Sequence, residues 1–232
     1  MIRTVILDAG GVICLPRPGD WLTPVRFEEI IGENRLNSVS PELLYGIKRE
    51  AANIFLDESL PLADETWEFA ARRNYLAEVA KRAGWTLTDR EADVLARDFT
   101  ENDARYDFYD DARSGLDLLG AGHSLGLLSD AMPSLRRIFD NAGLLEKFDA
   151  AVLSCEVGAT KPDPRMYRAI LEKLEADPAE CIFVDDRVVN LEGAEACGIR
   201  AVHLCREGES AWHGAVAQNL IALARYLDTE GI

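Results

Sequence analysis

The first acidic side chain of this sequence ends an apolar segment that could be a buried strand. That segment, Thr4–Leu7, runs into Asp8, and Gly10 and Gly11 follow. Glycines allow the backbone N–H groups of such a loop to come close to an anion. A carboxylate at the end of a buried strand needs a partner. Beside an anion-binding loop, it could act as a nucleophile toward phosphorus or carbon.

Further polar residues stand where they could join Asp8. They are Ser129 and Asp130 after one predicted strand, Lys161 before Pro162 in a loop, and Asp185 and Asp186 after another strand. Taken singly, Ser129 or the aspartate pair could cap a helix, and Lys161 could be an exposed loop residue. Taken together they predict one site, because the carboxyl ends of parallel strands converge on a ligand crevice.

The elements that must position these residues fall into two regimes. From about Trp21 to Arg105 the sequence predicts helices almost throughout, since apolar residues recur at helical spacing. The predicted helices are Glu42–Leu56, Asp64–Ala83 and Asp89–Phe99. Asp64 and Thr88 have the residue types of N-caps, and Gly84 that of a residue just past a helix end.

After Tyr109 the pattern changes to alternating strands and helices. The predicted strands are Ser124–Leu128, Ala150–Leu153, Cys181–Val184 and Ala201–Leu204. The predicted helices are Asp111–Gly120, Met132–Ala142, Pro164–Leu174, Leu191–Cys197 and Ala211–Leu227. Short buried strands separated by helices indicate a doubly wound α/β domain with a parallel sheet. We expect Thr4–Leu7 to join that sheet. Residues 1–15 and 106–232 then form the core, and residues 16–105 an inserted helical domain.

Composition excludes several classes of partner and location. The 25 basic and 41 acidic residues leave a net charge of −16, which repels nucleic acid and anionic membranes. An anionic substrate must therefore be attracted locally, by a metal or a lysine. The five cysteines have no metal-binding spacing, which is typical of a reducing cytoplasm. The apolar run near the N-terminus is too short for a signal peptide, so we expect a cytoplasmic protein.

Four stretches of sequence together resemble the haloacid dehalogenase superfamily. They are Val5–Asp8, Leu127–Ser129, Glu156–Pro164 and Phe183–Ala194. The helical block directly after the first stretch is similar to the cap of that superfamily's subclass I. The resemblance implies a Rossmann-like three-layer α/β core with a parallel sheet, plus an inserted all-helical cap domain. It also implies a hydrolase that acts on a small molecule, as a monomer or homodimer.

The resemblance implies a magnesium site and a covalent intermediate. Asp8 would attack phosphorus and form an aspartyl-phosphate. Mg²⁺ prefers oxygen ligands, and the implied set is Asp8, the backbone carbonyl of Gly10, and Asp186. Asp185 belongs to the same metal cluster, where, with Asn190, it would hold metal-bound water or Lys161.

The remaining implied residues bind the phosphoryl group. Lys161 and the Ser129 hydroxyl would hold its oxygens, alongside N–H groups of the first loop such as that of Gly11. Asp130 would offer its backbone N–H. We expect its side chain to cap the helix near Met132 rather than to act as an acid.

The match breaks at Gly10, where phosphatases of the superfamily usually carry a second aspartate as general acid and base. Three explanations are open. A phosphatase could use a substrate with a good leaving group, or recruit another acid such as Asp130 or a cap residue. The protein could instead be a metal-independent 2-haloacid dehalogenase, since those relatives also lack the second aspartate. It could also bind a ligand without turnover.

The acidic pair favours the first explanation. Dehalogenases of this type tend to carry Ser and Asn where this chain has Asp185 and Asp186. Carboxylates that face Asp8 would repel one another unless a cation joined them. We therefore predict a Mg²⁺-dependent phosphatase acting on a small phosphorylated metabolite. Residues that could recognise the leaving group are Arg17, Trp21, Arg72 and Arg73.

Overall fold

The computed structural model describes residues 1–56 and 64–230, and the side chains up to residue 229. The described chain divides into two compact units. One contains residues 1–15 and 108–230, and the other contains residues 16–56 and 64–107. The predicted boundary at residues 105 and 106 lies two residues earlier, and residues 57–63 of the predicted cap lie outside the described range.

The first unit is built on a parallel sheet. The strands in chain order are β1 (Thr4–Leu7), β2 (Cys14–Pro16), β3 (Tyr106–Phe108), β4 (Ser124–Ser129), β5 (Ala150–Leu153), β6 (Cys181–Asp185), β7 (Arg200–Leu204) and β8 (Ala215–Ala217). Six of them form one sheet in the order β5-β4-β1-β6-β7-β8, and β2 pairs with β3 separately. Every neighbouring pair in the large sheet is parallel.

The register of the sheet brings the predicted site residues to one edge. In β1 all four residues are buried, as expected of a central strand covered on both faces. Leu7, its last residue, pairs with Leu127 on one side and Val184 on the other. The residues that follow these positions are therefore neighbours at the carboxyl edge, although they are far apart in sequence.

Helices cover the sheet and form the second unit. In chain order they are α1 (Phe27–Ile31), α2 (Glu33–Leu36), α3 (Pro41–Phe55), α4 (Glu65–Arg82), α5 (Asp89–Glu101), α6 (Ala112–Gly120), α7 (Ser134–Asn141), α8 (Ser154–Val157), α9 (Pro164–Leu174), α10 (Val188–Ala196) and α11 (Leu220–Glu230). In the first unit, α9 packs on β4 and β5 while α10 packs on β6 and β7. Their apolar residues join Ile6, Leu128 and Phe183 in one buried core.

The second unit is helical, and its ends are capped as the sequence predicts. The Asp64 side chain accepts a hydrogen bond from Trp67 N at the start of α4. Thr88 and Glu91 form a capping box at the start of α5. Gly84 follows α4 with a φ of 73°. Helices α3, α4 and α5 pack in sequence, and α4 and α5 bury Tyr75 against Phe99.

The predicted closing helix differs from the structure. It was expected over Ala211–Leu227, whereas Ala215–Ala217 form β8 and the helix α11 starts at Leu220. Five further short elements were not predicted, namely β2, β3, α1, α2 and α8. Among the described residues, no helix is long and apolar enough to cross a membrane.

Candidate active site

Asp8 lies directly after β1 and is nearly buried. Its backbone N–H donates to the carbonyl of Val184 at 3.0 Å, which continues the sheet by one residue. Its side chain reaches Lys161, with 2.7 Å between Asp8 Oδ1 and Lys161 Nζ. Only 7% of Asp8 is exposed. Strand β1 thus places the Asp8 carboxylate at the edge of the sheet, where one of its oxygens contacts the Lys161 ammonium group.

Lys161 joins the ends of three strands. Its ammonium group contacts Asp8 after β1, donates to Leu128 O in β4 at 3.0 Å, and donates to Asp185 Oδ2 in β6 at 2.9 Å. Burial opposes its charge, but the carboxylates around it outweigh burial and raise the pKa of Lys161. The lysine is therefore a fixed positive charge next to Asp8, and its three N–H groups serve these three oxygens.

Both carboxylate oxygens of Asp185 accept hydrogen bonds from neighbouring groups. Besides Lys161, it accepts from the backbone N–H of Arg187 at 2.8 Å and from Asn190 Nδ2 at 3.1 and 3.0 Å. The residue is fully buried. These contacts fit the predicted role of Asp185 in holding Lys161, and its place in the metal cluster stays a prediction.

Asp186 approaches the loop after β1 because Gly11 has no side chain. Gly11 has a φ of 72°, and a Cβ built on it would lie 2.3 Å from Asp186 Oδ2. The carboxylates of Asp8, Asp185 and Asp186 each offer an oxygen, and these oxygens lie within 4.8 Å of one another. Oxygen donors in such a cluster fit a hard divalent cation such as Mg²⁺.

The electrostatics of the carboxylates also fit a cation. Burial raises the pKa of Asp8 to about 7, against the attraction of Lys161 and with further repulsion from Asp185. Burial and the charge of Asp185 also raise the pKa of Asp186. One lysine thus leaves the ionised carboxylates short of positive charge. A divalent ion held by Asp8 and Asp186 would supply it.

Gly11 does not present its N–H group to the site as expected. That N–H donates to Cys14 O at 2.8 Å and closes the loop on itself. The Gly11 carbonyl in turn accepts from Arg206 Nε at 3.3 Å. Gly11 matters to the site because it has no Cβ, which lets Asp186 come close. The sequence alone does not distinguish a glycine needed for this reason from one whose N–H group binds an anion.

In the structure neither Ser129 nor Asp130 caps a helix, and the predicted phosphoryl-binding role of Ser129 stays a prediction. Ser129 is the last residue of β4, 4% exposed, and caps no helix. The expectation that Asp130 caps the next helix is wrong, because α7 starts at Ser134 and has no side-chain cap. Asp130 Oδ1 accepts instead from the backbone N–H of Lys161 at 2.8 Å.

Two residues that the sequence reading missed hold the loops of the site. His203 in β7 lies 3.0 Å from the Asp186 carbonyl through Nε2 and 2.6 Å from Ser210 Oγ through Nδ1. A carbonyl only accepts, so Nε2 carries the proton. Arg206 donates to Val12 O at 2.6 Å and pairs with Asp111 at 2.9 Å. The sequence does place His203 near the end of a predicted strand, and this position could have indicated that it lies near the site.

The arginines proposed to recognise a leaving group have partners within the helical unit. Arg17 donates through two nitrogens to Asp107 Oδ1, at 2.9 and 2.6 Å. Arg73 pairs with both Asp89 and Asp93. Arg72 is buried beside Glu68 and stacks over Phe99. Trp21 is 37% exposed and packs against Tyr106. These contacts account for the three arginines structurally.

Known proteins similar to this chain include both phosphatases and dehalogenases. A phosphatase of Mycobacterium tuberculosis is 35% identical over 126 residues, which are 53% of this chain and 57% of that protein. The (S)-2-haloacid dehalogenase 4A of Burkholderia cepacia is 30% identical over 149 residues, 63% of this chain and 59% of that protein. The chain thus matches somewhat over half the length of these curated relatives.

The fold is that of solved family members. The crystal structure of a phosphatase from Thermococcus onnurineus superposes with a TM-score of 0.63 at 24% identity, and the match covers 97% of this chain and 98% of that one. The family model for haloacid dehalogenase-like hydrolases matches residues 2–198. The matched residues include every side chain of the candidate site from Asp8 to Asn190. The chain belongs to the haloacid dehalogenase-like hydrolase family.

Proposed function

We propose that this protein is a Mg²⁺-dependent phosphatase that hydrolyses a small phosphorylated metabolite through an aspartyl-phosphate on Asp8. The observation that carries the proposal is the cluster of Asp8, Asp185 and Asp186 around a single lysine. Their oxygens gather more negative charge than Lys161 balances, and a phosphoryl substrate would add more. A divalent cation resolves that excess.

The residues of this chain divide the work of phosphoryl transfer. One oxygen of Asp8 attacks phosphorus, and the bond from phosphorus to the leaving oxygen breaks. Lys161 and the Ser129 hydroxyl bind the transferring oxygens. Asp185, whose carboxylate accepts from Asn190, holds the ammonium group in place. Water then attacks the same phosphorus and breaks its bond to Asp8, which releases inorganic phosphate. Bound Mg²⁺, held by Asp8, Asp186 and the Gly10 carbonyl, would stabilise charge on the phosphoryl oxygens.

A 2-haloacid dehalogenase is the second candidate, favoured by Gly10 and by the Burkholderia relative. That reaction needs an aspartate nucleophile but no cation. It gives no reason for a second carboxylate, that of Asp186, to lie within 4.8 Å of the Asp8 carboxylate. We therefore rank the phosphatase first. We also propose a cytoplasmic location, because all five cysteines are free.

A substrate screen tests this proposal. Purified protein is offered a panel of phosphate esters and a panel of 2-haloacids, each with Mg²⁺ or with EDTA. We expect phosphate release that requires Mg²⁺ and no halide release. The matched controls are Asp186→Asn, which should lose the metal-dependent activity, and Asp140→Asn, an exposed aspartate on α7 that should leave it unchanged. Halide release in EDTA would favour the dehalogenase.

A further inference from the structure

The proposed reaction lacks an acid at the position two residues after Asp8. Gly10 has no group that exchanges a proton with the substrate. A positioned general acid contributes about 10²–10⁴-fold to a reaction in which an alkoxide leaves. Without one, the substrate must have a good leaving group, such as an acyl or aryl phosphate. Alternatively, another residue of the core supplies the proton.

The ionisable neighbours of Asp8 leave one candidate among the described residues. The charged groups that influence Asp8 are Lys161, Asp185 and Asp130. Asp185 accepts hydrogen bonds on both oxygens, and Lys161 is held as a cation between two carboxylates. Asp186 faces the candidate metal site. Asp130 is the carboxyl group that these contacts leave uncommitted.

Asp130 is held by one oxygen and open at the other. Its Oδ1 accepts from the backbone N–H of Lys161 at 2.8 Å, which fixes the orientation of the carboxyl group. Within the described part of the chain, Oδ2 has no hydrogen-bond partner and is not sealed from solvent. β4 lies beside β1 in the sheet, and Asp130 comes directly after the last residue of β4, so it lies at the same carboxyl edge as Asp8.

We propose that Asp130 is the general acid and base that Gly10 cannot be; this inference rests on the proposed phosphatase function. In the first step, Oδ2 donates its proton to the leaving oxygen as the bond between that oxygen and phosphorus breaks and Asp8 takes the phosphoryl group. In the second step, Oδ2 accepts a proton from the water that attacks phosphorus. That restores protonated Asp130 and the free Asp8 carboxylate.

The surroundings of Asp130 favour this use. Burial raises the pKa of its carboxyl group, while Lys161 opposes the shift and Asp185 adds to it. Arg187 is the other charged group that influences it. A carboxyl group with a raised pKa at the same sheet edge as Asp8 suits a residue that gives a proton in one step and takes it back in the next.

A purely structural role makes a different prediction, and Asp130→Asn separates the two. The amide oxygen of asparagine still accepts from Lys161 N–H, but the amide neither donates an acidic proton nor accepts one from water. The experiment measures kcat/KM for p-nitrophenyl phosphate, whose leaving group needs no proton, and for benzyl phosphate, whose alkoxide does. Wild type, Asp130→Asn, the exposed control Asp140→Asn and the double variant Gly10→Asp/Asp130→Asn are compared with Mg²⁺ present.

We expect Asp130→Asn to lose about 10²–10⁴-fold on benzyl phosphate and less than about tenfold on p-nitrophenyl phosphate. Rapid quench should also show a burst of p-nitrophenol, with phosphorylated Asp8 accumulating because its hydrolysis has lost the base. Gly10→Asp should restore part of the benzyl phosphate activity, since Gly10 does not have a left-handed backbone that an aspartate would strain.

Equal losses on the two esters, or no loss on either, would overturn the acid–base role of Asp130 while leaving the phosphatase proposal intact. Failure of the wild type to release phosphate from any ester would overturn the proposed function and Asp130's role with it. A Mg²⁺-dependent thermal shift that is the same in Asp130→Asn and wild type would show that the loss is not one of folding or metal binding.

Discussion

At the scale of single residues, Lys161 determines how the acidic side chains can coexist in the core. Its ammonium group is nearly inaccessible to solvent and contacts Asp8 at 2.7 Å and Asp185 at 2.9 Å. Two carboxylates are thus buried around one ammonium group, and removing one partner leaves the opposite charge buried without it. The arrangement leaves Asp8 with one oxygen bound to Lys161 and the other available for chemistry. Substitutions of Asp8 and of Lys161 should therefore have different effects: the first on turnover, the second on the stability of the fold.

Asp8→Asn should abolish turnover and leave the fold intact. The amide keeps the shape of the side chain and still accepts a hydrogen bond from Lys161, but it is not a nucleophile toward phosphorus. We expect no phosphate release and no phosphorylated protein, with an unchanged far-UV circular dichroism spectrum. Activity near the wild-type rate would contradict a covalent mechanism on Asp8. Asp140→Asn, measured in parallel, controls for loss of an unrelated carboxylate.

Lys161→Met should destabilise the protein more than loss of a surface lysine does. Removing the cation leaves the Asp8 and Asp185 carboxylates buried without it, a change that costs about 3–5 kcal/mol for a buried pair. The measurement is the free energy of unfolding in urea with EDTA present. Lys81→Met is the control, since the side chain of Lys81 is 77% exposed and its effect should be below about 1 kcal/mol. Equal effects in the two variants would refute the central place of Lys161.

Asp186→Ala should lose most of the affinity for Mg²⁺. Asp186 is the candidate ligand whose carboxylate is not consumed by other side chains, and its loss removes one of the few protein ligands that Mg²⁺ uses. Titration calorimetry on wild type and variant compares their dissociation constants directly. Equal affinity for Mg²⁺ in the two proteins would show that Asp186 is not a ligand of the metal.

At the scale of elements, the site depends on how closely loops approach one another at the sheet edge. The loop after β1 is closed by Gly11 N–H to Cys14 O, and Arg206 binds the Gly11 and Val12 carbonyls from the far side. On the other side, His203 holds the carbonyl of Asp186. The loop after β1 and the loop after β6 are therefore held in place by Arg206 and His203, which are not candidate metal ligands.

Gly11→Ala tests that close approach. The new Cβ would lie 2.3 Å from Asp186 Oδ2, so Asp186 must move. Gly208→Ala is the matched control, because Gly208 has a similar φ of 76° but no atom within 4 Å of a built Cβ. Both variants should lose about 1–2 kcal/mol of stability from backbone strain. Only Gly11→Ala should weaken Mg²⁺ binding, measured by calorimetry. Equal Mg²⁺ binding in the two variants would contradict the role of Gly11.

Two kinds of element could be predicted from the sequence. They are strands made of a continuous apolar run, and helices whose ends carry capping residues. Strand Ala150–Leu153 and helix Pro164–Leu174 have the predicted bounds, and the Thr88 cap forms as expected. Strand β8 was missed because three residues such as Ala215–Ala217 become a strand only by pairing with β7. Their own pattern also suits a helix, so no local signal distinguished the two.

At the scale of the whole molecule, the chain combines a strongly acidic composition with a site that must accept an anion. The net charge of −16 opposes the approach of any phosphate. Attraction must therefore be local, and its sources would be Lys161 and the divalent ion that we propose. The predicted residues Asp8, Ser129 and Asp185 converge because β4 and β6 run parallel to β1 on its two sides, so their carboxyl ends share one edge. Side-chain directions could not be predicted, since that of Asp130 depends on the Lys161 backbone, which is distant in sequence.

The central claim is that Asp8 accepts a phosphoryl group, and mass analysis of the Asp8 peptide after rapid quench tests it most directly. The protein is mixed with p-nitrophenyl phosphate and Mg²⁺, or with 2-chloropropionate and EDTA, in water enriched in ¹⁸O, and is then digested. We predict a phosphoryl group on Asp8 in the first mixture and no ¹⁸O in the Asp8 carboxylate in either, because water attacks phosphorus. An alkylated Asp8, or ¹⁸O in its carboxylate after turnover of the haloacid, would contradict the account.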